Sequence, residues 1–402
     1  MSTVALDTGW PRTVRALFSV AMVVFLVTIA IGIVNGLDLY TFTHDQILTH
    51  VHSGTLGWIT LSIVAAATWF ARGFDRRLAW ALAILIPIYV AAFYLAVPAL
   101  RVIAGGFVLV VILWLVVWAW RFASGNPSMP ALAIALGLTT FTYGAVIGVL
   151  RQIQLAGGPS LFPPNADPVG AHASAMVFSY LILVAMGLLE WRLLGTTGRT
   201  RGGMVQVVGL FAGGLIISGA LLFLTPEQQQ PAAGLYLLVE LIAVIVFAVR
   251  VIPTAVRIDW VGPSPRRHLA AAAIFVPIAT VIFLVVIARF VSDPSLTQDP
   301  APVLGILTAS DHAAFIGVIT NIVLALTLTL AADRGNRWRW ADQLIFWGVN
   351  LGLAIFLVGL TINVAEIKRI GAPLMGVALL LGLATVAQRL WSSELRPTEA
   401  AP

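Results

Sequence analysis

The sequence predicts an all-α polytopic membrane protein of about twelve transmembrane helices in one membrane domain spanning 1–402, and three observations predict it. Of its 402 residues, 60% are hydrophobic and 10% charged, against roughly 25% charged in a soluble domain, so the outside of the fold cannot be a water-facing surface. Apolar runs of about 20 residues, long enough as helices to cross a hydrocarbon core about 30 Å thick, recur along the whole chain. Arginines cluster in alternate connections between those runs, as they do in loops on the cytoplasmic side of a membrane.

Taken in order, the predicted spans are 13–37, 49–71, 77–98, 101–122, 131–151, 169–193, 203–224, 232–251, 269–291, 309–331, 342–362 and 371–391. The first is too long for a signal-peptide core and has no convincing cleavage site, so it reads as a retained helix. The second opens on His50 and His52 and stops at Arg72. The third contains Pro87 and the ninth Pro277, which neighbouring helices tolerate in a bundle. The eighth carries Glu240 in its middle, in YLLVELIAVIV. The tenth holds His312 and Asn321 and the eleventh Asn350, amides suited to hydrogen bonds between helices.

With the amino terminus inside, the inside segments hold Arg12 and Arg15; Arg72, Arg76 and Arg77; Arg121; Arg192, Arg199 and Arg201; Arg250, Arg257, Arg266 and Arg267; Arg334, Arg337 and Arg339; and Arg396. The outside segments hold Arg101, Arg151, Arg289, Lys368 and Arg369. Both termini are therefore expected on the cytoplasmic side. His268, beside Arg266 and Arg267, reads as part of an inside basic loop. Glu190 and Arg192 read as interface anchors at an inner helix end. Trp58, Trp120, Trp191, Trp338 and Trp340 read as interfacial belts.

The net charge of +6 does not indicate nucleic acid, because the basic residues sit in short clusters between apolar runs and Lys368 is the only lysine. The expected surroundings are a lipid bilayer. The absence of cysteine excludes disulfides, thiolate metal sites and covalent haem attachment. Neither a phosphate-binding loop, a nucleophile elbow nor H-E-x-x-H occurs.

Outside loops Leu37–Leu48, Gln152–Pro168 and Val291–Thr308 are the long ones, which suggests a repeat of four helices. The segments THVHSGTLGWITLSIV, GAHASAMVFSYLILVA and SDHAAFIGVITNIVLAL each enter the membrane on a histidine: His52, His172 and His312, separated by 120 and 140 residues. IGIVNGLDL and IGVLRQIQL end the spans before the first two. We expect three pseudo-repeated four-helix units, roughly 13–122, 131–251 and 269–391, about a pseudo-threefold axis, with these histidines at similar depth. His50, about 200° round the helix from His52, is expected to face the outer aqueous boundary or a second site, and His44 to lie in the preceding loop. Asp311 and Ser310 are candidates to orient His312.

Twelve spans in three arcs with histidines on spans 2, 6 and 10 resemble subunit I of the haem–copper oxidases and nitric-oxide reductases, and also look like NnrS-type membrane proteins. The resemblance implies a haem b held between His52 (or His50) and His312, and it places His172 where that family has a copper ligand. It further implies a bacterial cytoplasmic membrane and a cytochrome or other respiratory subunit as partner. Span 7 lacks the family's His-His pair, Ser310 and Ala314 stand where a second span-10 histidine would be, and no Pro-Glu follows His172. The expectation is therefore electron transfer or binding of a diatomic gas (NO or O2) without a complete haem–copper centre.

If haem is bound, Arg151, Arg289, Lys368 and Arg369 are the outer-side cations suited to its propionates, and Glu240 is a candidate for a proton path. Two other functions fit the composition. One is a transporter or permease with Glu240 as its coupling group. The other is copper or haem handling for the assembly of a respiratory complex, with metal entering through His44, His50 and His52.

Overall fold

The computed structural model describes residues 9–195, 198–297, 299–331, 338 and 340–392. Among these residues, twelve helices are long and apolar enough to cross a membrane: α1 Trp10–Gly36, α2 His44–Ala71, α3 Arg76–Tyr94, α4 Pro98–Gly125, α5 Met129–Leu155, α6 Pro168–Leu194, α7 Arg201–Phe223, α8 Pro226–Ala255, α9 Arg266–Ser292, α10 Ala301–Leu330, α11 Ala341–Thr361 and α12 Ala365–Trp391. Among the described residues the only extended pairing is an isolated bridge between Ser128 and Gly198.

Local chemistry sets many of the helix starts. Thr43 and Gln46 form a reciprocal capping box for α2, and Thr225 and Gln228 form one for α8. Side chains of Asp75, Ser128, Asp167 and Thr200 accept from the first-turn amides of α3, α5, α6 and α7. Proline occupies the first turn of α1, α4, α5, α6, α8 and α10, where its missing N–H leaves nothing unsatisfied. These caps correct several boundaries. α2 begins at His44, so His44 is in the helix and not in a loop, and α10 begins at Ala301, which shortens the connection read as Val291–Thr308. α9 begins at Arg266, so His268 belongs to that helix. Of the arginines used for orientation, Arg334, Arg337, Arg339 and Arg396 lie outside the described residues.

Burial divides the helices into two classes. The most apolar stretches of α2, α6 and α10 are 78%, 83% and 89% buried, and those of the other nine lie between 33% and 61%. The nine pack in the ring order α1, α3, α4, α5, α7, α8, α9, α11, α12, with α12 returning to α1 and α9 tied to α11 by Arg267. Their outward faces are apolar, as at Val23, Phe107 and Val110, and suit lipid contact.

The three inner helices share a local distortion. Each widens into π-helical turns at Ser53–Thr60, Ala175–Leu181 and Ala313–Thr320, within a few residues of His52, His172 and His312. π turns are rare and are found frequently at functional sites. Side chains serve the displaced carbonyls: Thr60 Oγ1 donates to Thr55 O (2.9 Å), Thr320 Oγ1 to Phe315 O (2.8 Å) and the Asn321 amide to Gly317 O (3.0 Å). Across the axis, Trp58 Nε1 donates to Thr320 Oγ1 (2.9 Å) and Tyr180 OH to Thr60 Oγ1 (3.3 Å). Trp58 is thus a core residue, 1% exposed, and not part of an interfacial belt.

One buried carboxylate is paired across helices. Glu190 is not an interface anchor: it lies at the inner end of α6, bonded to Arg250 of α8 at 2.6 Å, and Gln206 of α7 accepts from the same guanidinium at 2.6 Å. Arg192 sits over the rings of Trp69 and Trp191 at 5.1 Å.

Candidate cofactor site

A cavity of about 660 Å³ opens among the inner helices at the histidine end of the bundle. It is lined by α1–α6 and α10–α12 and by nothing from α7, α8 or α9. Most of the lining is apolar. The ionisable groups on it are His50, His52, His172, His312, Asp311, Asp38, Tyr89, Tyr180 and Lys368. His50 and His52 both face this one cavity, contrary to the expectation from their 200° separation, because the cavity wraps around α2 and meets it on two sides.

Each histidine is held by its Nδ1. His50 donates to Thr28 O of α1 (2.9 Å) and His172 to Gly144 O of α5 (2.7 Å), each reaching the preceding helix. His52 donates to Leu48 O (2.7 Å) and His312 to Thr308 O (2.8 Å), each within its own helix. A carbonyl only accepts, so Nδ1 carries the proton and Nε2 keeps the lone pair that a metal requires. The glycines of the echoed segments make room for the first two rings. A Cβ on Gly32 would lie 3.1 Å from His50 Cε1, and one on Gly148 would lie 3.0 Å from His172 Cε1.

This bonding corrects the register of the repeat. His50 matches His172, and Ser310 completes the set, since its Oγ donates to Ala279 O of the preceding helix α9 (3.1 Å). His52 then matches Ser174 and His312. Aligned this way, HVH, HAS and SDH are three versions of one triplet, each directly before its π turns.

The aromatic neighbours follow the same register. Phe93 of α3 stacks on His52 with ring centres 3.9 Å apart at 16°, and Phe356 of α11 meets His312 edge-on at 5.0 Å. Arg101 backs Phe93 at 4.8 Å and pairs with Asp45 of α2. Sequence reasoning missed Phe93, Arg101, Asp45 and Phe356. The paired glycines stood in the echoed segments, but their contact with the rings was not readable there.

The outcome is two pairs. His50 and His312 lie within electrostatic range of each other, and so do His52 and His172. Among the described residues, no group of three or more His, Asp or Glu side chains converges as a metal would need. His52, His172 and His312 therefore do not form one cluster. No family model matches the chain, and no curated protein is similar to it.

The remaining predicted residues separate clearly. Lys368 lines the cavity; Arg369 stands next to it and pairs with Asp38 at 3.0 Å. Arg289 is exposed at the end of α9, and Arg151 donates to Gln154 (2.6 Å) outside the lining. Glu240 is fully buried on α8, away from the cavity, and neither carboxyl oxygen has a partner. His44 is exposed. His268 is 1% exposed and donates to Asn321 Oδ1 (2.7 Å), while the Asn321 amide donates to Asn350 (2.9 Å), so it links helices and is not part of a basic loop.

The cavity is largely apolar, and its volume lies within the range of about 300–1,000 Å³ usual for cofactor sites. Imidazoles from α2, α6 and α10 offer Nε2 to it, and glycines on α1 and α5 leave room for two of the rings.

Proposed function

We propose that this chain is a haem-binding redox protein of a bacterial cytoplasmic membrane, with a b-type haem between His50 of α2 and His312 of α10. The observation that carries the reading is this pair, on two inner helices that line one largely apolar cavity, with both Nδ1 atoms tied to carbonyls. Haem bound there supplies one-electron redox chemistry. His50 and His312 would hold the iron through two nitrogen ligands, which would favour electron transfer over gas binding. The apolar lining keeps water away and tunes the potential. The Lys368 ammonium at the cavity wall is the cation for a propionate, and Arg369, held by Asp38, stands beside it. Both termini face the cytoplasm, and a cytochrome or other respiratory subunit is the electron partner in this reading.

Reduced-minus-oxidised visible spectra with pyridine haemochrome quantitation test the proposal. We expect wild-type protein to carry b-type haem, and His50→Ala and His312→Ala each to lose the same equivalent. Wild-type protein with no Soret band after haem-replete expression overturns it.

A second measurement probes the ring position. Gly32→Val is expected to displace the His50 ring and lower haem occupancy at this site. Gly106→Ala, on α4 with nothing within 4 Å of an added Cβ, serves as control and is expected to leave occupancy unchanged. Equal occupancy in the two variants would show that His50 is not a ligand.

A further inference from the structure

We infer that the same cavity holds a second haem, between His52 of α2 and His172 of α6. This rests on the haem reading above and extends it to a compartment with the same chemistry. The corrected register supplies the reason. On α2 and α10 two positions two residues apart reach the preceding and the following outer helix, and on α6 His172 reaches the preceding one. Position 50 is bonded to α1 and position 172 to α5, while His52 stacks on α3 and His312 packs on α11. Two of the compartments between inner helices are therefore flanked by one residue of each kind.

Between α10 and α2 those residues are His312 and His50. Between α2 and α6 they are His52 and His172. Between α6 and α10 the corresponding positions are Ser174 and Ser310. Two compartments have a histidine from each of their inner helices and the third has serines. The cavity follows the same division, reaching α3, α4 and α5 on one side of α2 and α1, α11 and α12 on the other, while α7, α8 and α9 contribute nothing to it. The third compartment is filled: Phe178 stacks on Phe283 at 3.6 Å and 7°, with Tyr236 edge-on to Phe283 at 6.0 Å.

The second compartment is also built around its histidines. His52 is fixed twice, by its bond to Leu48 O and by the stack on Phe93, which Arg101 and Asp45 hold from behind. His172 sits in the notch of Gly148. One turn along α5 from that glycine, Arg151 donates to Gln154 and stays outside the cavity lining.

The two irons would be ligated from one helix by residues two apart, a rise of about 3 Å along the axis. α2 then connects two redox centres within a single chain.

The test is haem stoichiometry on the purified full-length chain, with a redox titration followed at the α-band. We expect two haems per chain in wild type and a titration that needs two components. His52→Ala and His172→Ala should each retain one haem, as should His50→Ala and His312→Ala, and His52→Ala combined with His312→Ala should retain none. The haem remaining in each single variant reports that the bundle has folded. Low-temperature EPR of the oxidised protein should show two low-spin bis-histidine signals, one absent from His172→Ala. One haem per chain, lost in His50→Ala and His312→Ala but kept in His52→Ala and His172→Ala, overturns the second site and leaves the first standing. One haem with one copper per chain also overturns it. No haem in any form removes both.

Discussion

Trp58→Ala is expected to lower the stability of the detergent-solubilised protein by about 3–5 kcal/mol, the range for truncating a large aromatic in a packed interior. Trp58 lies at the meeting point of the three inner helices, stacked on Phe25 at 4.5 Å and 5° and bonded to Thr320. Packing dominates that loss. A hydrogen bond between helices in a membrane averages about 0.6 kcal/mol, and Thr320 Oγ1 keeps its own bond to Phe315 O. Trp58→Phe should therefore recover most of the stability. Thermal unfolding followed by size-exclusion chromatography distinguishes the two variants, and equal losses would show that the indole bond outweighs the stack.

The second large effect concerns the buried ion pair at the opposite end of the bundle. Glu190→Ala is expected to destabilise by about 3 kcal/mol, the lower end for removing one partner of a buried pair. The Glu190 side chain is 1% exposed and Arg250 18%, so water cannot replace the lost carboxylate fully. Gln206 still accepts from Arg250, which limits the loss. Glu190→Gln keeps an acceptor and should cost less, and Glu190→Gln with Arg250→Met should recover stability by removing the stranded charge. Glu366→Ala, at an exposed position, is the reference. A midpoint for Glu190→Ala equal to that of Glu366→Ala would mean that the pair contributes nothing.

The twelve spans and the inner position of the histidines could be read from composition, span length and the fourfold spacing of histidine-bearing helices. The register could not. Matching histidine to histidine aligns His172 with His52, two residues away from the position it occupies, because identity is not what the repeat preserves. What recurs at His50, His172 and Ser310 is a bond to the preceding helix, and a serine makes that bond as well as a histidine. His268 was misread for a related reason: two arginines beside it marked a loop, while its hydrogen-bond partner Asn321 lies 53 residues away in sequence. The Thr43–Gln46 capping box was legible and would have moved the start of α2 to His44. Glu190 and Arg250 are 60 residues apart, and no local pattern joins them.

The wide turns at the centre change how the chain tolerates length variation. An α-helix advances 100° per residue, so deleting one residue from a regular stretch of α2 swings one end of the helix against the other and carries His50 and His52 out of their compartments. Within Ser53–Thr60 the backbone already holds more residues per turn than an α-helix needs. A deletion there tightens a loose turn and leaves both ends in phase. The wide turns of the three inner helices are thus where the chain can lose a residue without losing its alignment.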